Sequence, residues 1–172
     1  VITPIEIFNY GCELTRHLER HRGQTITHDE LRTASAPSIT PEIVAELDTV
    51  LLKRVAEARS HTHFVIDTHA VTKEAYGFRI TPFSLQRIGE LRPTKIVALY
   101  TATDVTIDRI AANACGRPLI SEFEAGFHTG LQAAVAISYG TSLGVPIYLL
   151  DSNRPIPELL EWFRSSLACP RS

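Results

Sequence analysis

The chain has 172 residues, 44% of them hydrophobic, and a formal net charge of −2 at pH 7. This length and apolar content suffice for one domain with a substantial core. The near-neutral charge, without a basic stripe, argues against nucleic acid as the main partner, and no apolar stretch is long enough to cross a membrane. Three widely spaced cysteines, and a start without the basic residues of a signal peptide, predict a cytoplasmic protein with reduced thiols.

The first predicted elements are a short strand and a charged helix. Alternating residues over 5–8 predict the strand. Leucines at helical spacing over 12–22 predict a partly exposed helix, and Gly23 is expected to end it. Thr27 is expected to cap a second short helix.

The strongest helix signal begins at Thr40, a good cap residue followed by proline, and runs to about Arg59. Its apolar residues fall on one stripe, made of Ile43, Leu47, Leu51 and Val55. Asp48 and Lys53 are predicted to face away from that stripe. The pattern is typical of a helix with one buried face.

Three further apolar runs predict strands over 64–66, 95–100 and 147–150. Runs of such continuous apolar character are typical of parallel strands that are covered on both faces. Helices are predicted over 83–91, 105–114, 121–143 and 157–167. The alternation predicts an α/β fold, with a doubly wound, mostly parallel sheet and helices on both faces, in a single domain over 1–172.

Several segments carry a family resemblance when they are taken in their order and spacing. They are Phe8-Asn9-Tyr10-Gly11, Asp29-Glu30-Leu31-Arg32, Val65-Ile66-Asp67-Thr68-His69, the segment 73–82, Asp104 to Arg109 with Gly116-Arg117, and the helical 132–140. Together they resemble the archaeal-type adenylate kinases, which are nucleoside monophosphate kinases of the P-loop class. The resemblance implies a P-loop kinase-like fold, with 73–82 as a loop and 104–125 as a lid-like segment.

The resemblance also implies an activity and its partners. It implies transfer of a phosphoryl group from ATP to a nucleoside monophosphate, Mg²⁺ with ATP as cofactor, and nucleotides such as AMP and ATP as ligands. Nothing in the composition bears on assembly, but the resemblance suggests a homo-oligomer, namely a trimer.

Asp67 closes an apolar strand, where an acid can hold magnesium directly or through water. A turn or cap acid is the alternative reading. The resemblance assigns Thr68 and His69 to substrate binding, although a structural polar histidine is the commoner case. His61 and His63 form a His-x-His pair that would need further ligands to hold a metal ion, and a polar strand edge is the alternative.

The candidate cations are arginines, because a guanidinium offers paired donors to phosphate oxygens. The resemblance places Arg32 at the acceptor monophosphate, whereas its local alternative is an ion pair with Asp29. It makes Arg109 and Arg117 the catalytic pair that surrounds the migrating phosphoryl group; solvated helix-end arginines are the alternative. Asn153, after the last strand, becomes a base-side candidate.

One part of the family pattern does not occur in these residues. The phosphate-loop pattern G-x-x-x-x-G-K-[ST] is missing, and none of Lys53, Lys73 and Lys95 follows a glycine. In the family, the strand that carries this loop lies in the middle of the sheet, between the strands at 64–66 and 95–100. We therefore expect a fold without the first strand and the P-loop helix, doubtful magnesium binding, and negligible phosphotransfer by these 172 residues.

Two functions stay open from the sequence. One is a nucleotide kinase whose phosphate loop lies upstream of the first residue. The other is a non-catalytic nucleotide-binding or assembly module that has lost the loop. A flavodoxin-like binding domain is a third reading, which predicts one continuous sheet made of the four predicted strands.

Overall fold

The computed structural model of the protein describes residues 4–23, 25, 39–112 and 120–168. The chain forms two compact units, and the first passes to the second after Thr68. The first unit contains, in chain order, β1 Ile5–Asn9, α1 Tyr10–Arg22, α2 Pro41–Ala58 and β2 His63–Asp67. The second contains β3 Val71–Glu74, β4 Gly77–Ile80, α3 Leu85–Leu91, β5 Ile96–Tyr100, α4 Thr103–Ala112, α5 Glu122–Leu143, β6 Ile147–Asp151 and α6 Ile156–Ala168.

In the first unit, β1 and β2 are parallel neighbours, with Ile5 opposite His63 and Asn9 opposite Asp67. Both strands therefore end at the same edge. Helices α1 and α2 contact each other. The largest fully buried side chains of this unit are Phe8, Leu18, Leu47 and Leu51. The core thus joins one residue of β1 to the inner faces of both helices.

Local sequence sets the ends of α1 and the start of α2. The Asn9 side chain caps α1 by accepting a hydrogen bond from the backbone N–H of Cys12 at 2.9 Å. Gly23 ends this helix, as predicted, in a left-handed conformation with φ of 66°, which glycine adopts without steric cost. Thr40 caps α2, and its hydroxyl accepts from the backbone N–H of Ile43 at 3.5 Å.

The apolar stripe predicted for α2 is confirmed, since Leu47, Leu51 and Val55 are buried. The prediction that Asp48 faces away from it is wrong. Asp48 is only 7% exposed, and its carboxylate accepts a hydrogen bond from the Tyr10 hydroxyl at 2.8 Å. Asp48 lies about 100° around the helix from Leu47, at the border of the stripe, and the donor from α1 offsets the cost of burying its charge.

The second unit contains a hairpin where the sequence predicts a loop over 73–82. Strands β3 and β4 are antiparallel, with Val71 opposite Ile80 and Glu74 opposite Gly77. An ion pair between Arg79 and Glu74, 3.1 Å apart, joins the two strands. These four-residue strands are rich in charged residues, so they lack the apolar alternation that signals a strand.

The second parallel pair consists of β5 and β6, with Ile96 opposite Ile147 and Tyr100 opposite Asp151. The long helix α5 packs against both strands. It begins with a capping box, in which Ser121 and Glu124 each bond to the other's backbone N–H. Both strands again end at one edge, so the loops that follow them meet there.

The fold is mixed α/β, with parallel and antiparallel strand pairs. Among the described residues, β2 pairs only with β1 and β5 pairs only with β6, so these strands do not form one continuous sheet. The expectation that the strands of the three apolar runs are covered on both faces is wrong for several residues, since Leu99 is 57% exposed and Leu149 is 48% exposed. An apolar run indicates that a strand favours burial, but it does not supply the element that covers it.

The lengths and apolar character of the helices bear on whether any of them could span a bilayer. In the described part of the chain, none combines the length and the apolar character needed to cross a membrane.

Candidate functional site

The carboxyl ends of β1 and β2 bring Asn9 and Asp67 into contact. The Asn9 amide nitrogen donates to the Asp67 carboxylate at 2.7 Å, while the amide oxygen of Asn9 accepts the N–H of Cys12. One side chain therefore fixes both the start of α1 and the position of the acid. Asp67 is exposed at the strand end where open α/β proteins gather ligands.

The predicted position of Asp67 at the end of a strand is confirmed, and the structure adds Asn9 as a neighbour that is not among the predicted site residues. Asn9 sits opposite Asp67 in the register of the two strands. The signal was available in principle, because parallel neighbours that both end in polar residues must bring those residues to one edge.

The next two residues of the predicted motif fall at the boundary between the two units. Thr68 is the last residue before the boundary, and His69 is the first after it. Both are exposed.

Within the described ranges, the His-x-His pair ahead of this motif is not part of a larger ligand group. His63 begins β2, and the Nδ1 atom of His61 lies 3.2 Å from the Ser60 hydroxyl in the turn before it. Among the described residues, neither histidine belongs to a group of three or more potential metal ligands.

In the second unit, Arg109 of α4 meets the loop that follows β6. Its guanidinium donates to the Ser152 hydroxyl at 3.1 Å and to the Ser152 carbonyl oxygen at 3.1 Å. The backbone N–H of Ser152 in turn bonds to the carbonyl of Tyr100 at 2.7 Å, and the N–H of Asn153 bonds to the Asp151 carboxylate at 2.9 Å. Two predicted site residues, Arg109 and Asn153, therefore belong to one hydrogen-bonded cluster around Ser152.

The sequence predicts different roles for Arg109, at the phosphoryl group, and for Asn153, at the base, and Ser152 is not among the predicted site residues. A cation on a helix 43 residues before its acceptor leaves no local pattern by which to find the pair. The other predicted cations, Arg32 and Arg117, lie outside the described residues, as does Asp29, the expected ion-pair partner of Arg32.

The three lysines are Lys53 on α2, Lys73 in β3 and Lys95 just before β5. Lys73 forms an ion pair with Glu124, with the nitrogen and oxygen 3.2 Å apart, and Lys95 bonds to the carbonyl oxygen of Ser166. Lys53 is exposed on α2. Hydrogen bonding at the start of α5 lowers the pKa of Glu124 below its usual range, and Lys73 adds to this effect.

A third constellation lies between α1 and α2 and was not predicted. The Nε2 atoms of His17 and His21 lie 3.0 Å and 2.8 Å from the same carboxylate oxygen of Glu46. The hydrogen bond from His17 is the main cause that lowers the pKa of Glu46, and the nearby His21 adds to it. The sequence signal was the spacing of the histidines, since residues four apart share one face of a helix.

No protein-family model matches the chain, and no curated protein is significantly similar to it.

Proposed function

We propose that the protein is a nucleoside monophosphate kinase-like phosphotransferase, active in a form that also contains a phosphate-binding loop. The observation that carries this proposal is the arrangement of strand partners. Among the described residues, β2 and β5 each have a neighbour on one edge only. Those are the two strands between which the family resemblance places the phosphate-loop strand, in one doubly wound sheet.

The chemistry at the strand ends supports the proposal. Phosphoryl transfer depends on positioning and on positive charge around the migrating group more than on covalent help from the protein. Asp67 offers one exposed carboxylate held by Asn9, which fits magnesium bound through a single acid, water and substrate phosphates. That ion would supply charge neutralisation at the phosphates, and the protein's part is to hold the acid in place.

The hydrogen-bonded cluster around Ser152 is a second argument for a nucleotide ligand. The guanidinium is held by two bonds to Ser152, so its direction is set before a ligand arrives. The Asn153 backbone is fixed by Asp151, as suits a loop that contacts a base. On this proposal Arg32 binds the acceptor phosphate, Arg117 joins Arg109 at the migrating group, and Thr68 and His69 contact the substrate.

A second candidate function is a non-catalytic nucleotide-binding or assembly module. The environments of the three lysines favour this candidate for the 172 residues alone. None of these lysines is in a position that suits the phosphate-binding lysine of a P-loop. Lys73 is paired with Glu124, and Lys95 is bonded to Ser166, while Lys53 lies on the outer face of α2.

Two measurements separate the candidates. Calorimetric titration of the 172-residue chain with AMP, ATP and a bisubstrate analogue tests nucleotide binding. A coupled assay with AMP and ATP tests turnover, both on this chain and on the product of the full reading frame. The kinase proposal expects binding by the short chain, negligible turnover by it, and turnover by the longer product. Binding without turnover in either form supports the nucleotide-binding module. No nucleotide binding in either form overturns the kinase proposal and the nucleotide-binding module, and leaves the assembly role.

A variant pair ties the activity to this site. Arg109→Ala in the active form should lower kcat by about 10²-fold, as loss of one charge-stabilising donor does in other enzymes. Arg154→Ala is the matched control. Arg154 is an exposed arginine in the loop after β6, close in sequence to Ser152, and it pairs with Glu158 on α6 at 3.5 Å. Equal loss in the two variants would remove Arg109 from the proposed catalytic role.

A further inference from the structure

We propose that His17, His21 and Glu46 form a binding site for one divalent transition-metal ion, with zinc as the fitting species. This site lies in the first unit and is independent of the phosphotransfer proposal. It uses two residues of α1 and one of α2, so a bound ion would join the two helices.

The ligand atoms are already close to coordination geometry. The two imidazole nitrogens lie 3.0 Å and 2.8 Å from one oxygen of Glu46, and all three potential ligand atoms lie within 4.8 Å of one another. Zinc bonds nitrogen and oxygen ligands at about 2.0–2.1 Å, which in a tetrahedron puts the ligands about 3.3 Å apart. An ion could therefore enter after small side-chain movements.

The helix geometry explains why the histidines converge. Residues four apart lie above one another on one face of a helix, and the ring centroids of His17 and His21 are 4.6 Å apart with a tilt of 54°. The tilt lets both Nε2 atoms aim at one point instead of stacking in parallel. Glu46 stands opposite them, in the second turn of α2.

Burial gives the site a closed side and an open side. His17 is only 9% exposed, whereas the side chains of His21 and Glu46 are 47% and 52% exposed. Three protein ligands with a solvent side leave a position for water, the arrangement of zinc sites with an open coordination position. Arg20 and Arg22 flank His21 in the last turn of α1, so we expect micromolar affinity and not the tighter binding of a closed structural site.

The ligand set selects the class of ion. Imidazole suits zinc, copper, iron and nickel, whereas magnesium and calcium prefer sites built from oxygen ligands. Two imidazoles and one carboxylate thus favour a transition metal. The competing explanation is that Glu46 only accepts hydrogen bonds from the two rings and so holds the helices together without any ion.

Zinc titration distinguishes the two explanations. The protein is freed of metal with a chelator and titrated with zinc chloride by calorimetry, and urea unfolding is followed with and without zinc. The variants are His21→Gln and Glu46→Gln, both at exposed positions, whose amides can keep hydrogen bonds but are poor zinc ligands. His61→Gln is the control, since His61 is an exposed histidine outside the cluster.

We expect one zinc ion per chain in the wild type and in His61→Gln, with a higher urea midpoint when zinc is present. Each cluster variant should bind at least about tenfold more weakly, a loss that is seen even when only the outer hydrogen-bond partners of metal ligands are removed. Its urea midpoint should not respond to zinc. The proposal is overturned if the wild type binds zinc no better than His21→Gln does, or if His61→Gln loses as much affinity as the cluster variants.

Discussion

The Tyr10 hydroxyl donates a hydrogen bond of 2.8 Å to the buried carboxylate of Asp48, which links the first residue of α1 to the middle of α2. The bond spans 38 residues of sequence. It accounts for the burial of an acid in the helix face that packs on α1.

Replacing Tyr10 by phenylalanine should destabilise the protein by about 1–2 kcal/mol. A hydrogen bond to a charged group contributes about 1.5–3 kcal/mol when it is buried, and this one is only partly so. Urea unfolding at pH 7 measures the change. Tyr76→Phe is the control, because Tyr76 is 77% exposed in the hairpin turn, and a similar loss there would contradict the assignment.

The same pair gives a pH dependence with a defined sign. Burial, and then the hydrogen bond and charge of Asp48, raise the pKa of Tyr10 above its ordinary value of 10.0. The unfolded chain therefore releases this proton first as the pH rises, so stability falls above about pH 10. The free-energy difference between wild type and Tyr10→Phe should shrink there, and a difference that stays constant up to pH 11 would refute the coupling.

Two glycines of α5 should respond in opposite directions to the same substitution. A Cβ atom on Gly140 would overlap the side chain of Ile147, whereas one on Gly130 would meet open space. Gly130→Ala should therefore stabilise the protein by about 0.5–1 kcal/mol through helix propensity. Gly140→Ala should destabilise it by about 1–3 kcal/mol, because the strand must move or Ile147 must change rotamer.

Thermal and urea unfolding of the two variants test this prediction side by side. Both positions lie in the same helix, so the intrinsic preference for alanine is shared and cancels in the comparison. If Gly140→Ala were as stabilising as Gly130→Ala, helix α5 would not pack closely on β6.

Local chemistry made the helix ends predictable from the sequence. Gly23 and Thr40 act through their own backbone preference or side chain within a few residues, so their signal survives without tertiary information. The predicted start of the long helix at Ser121 differs from the structure by one residue, because Ser121 is the cap and not the first helical residue.

Long-range packing set the features that the sequence did not reveal. Asp48 looked like an outward residue because its donor, Tyr10, is supplied by another helix. The pairing of Arg109 with Ser152 likewise depends on where α4 and β6 lie in the fold. The cluster of His17, His21 and Glu46 depends on the spacing of the two histidines and on the packing of α2 against α1. Only the spacing can be seen in the sequence of α1.

The final prediction concerns Asn9, whose amide serves α1 and Asp67 at once. Asn9→Ser should keep the helix cap, since serine caps nearly as well as asparagine, but it should lose the contact with Asp67. Because that contact is exposed, we expect a loss of about 0.5–1 kcal/mol in urea unfolding.

Asn9→Asp is the sharper variant. Aspartate caps a helix equally well, so the substitution only replaces an attractive contact with Asp67 by a repulsive one. It would place a second carboxylate where the amide now donates to Asp67 at 2.7 Å, so at neutral pH it should destabilise more than Asn9→Ser. Repulsion between exposed charges is screened by salt, so 0.5 M sodium chloride should bring the two variants together. If Asn9→Asp were as stable as wild type at low salt, Asn9 would serve only as a cap, and Asp67 would be positioned by β2 alone.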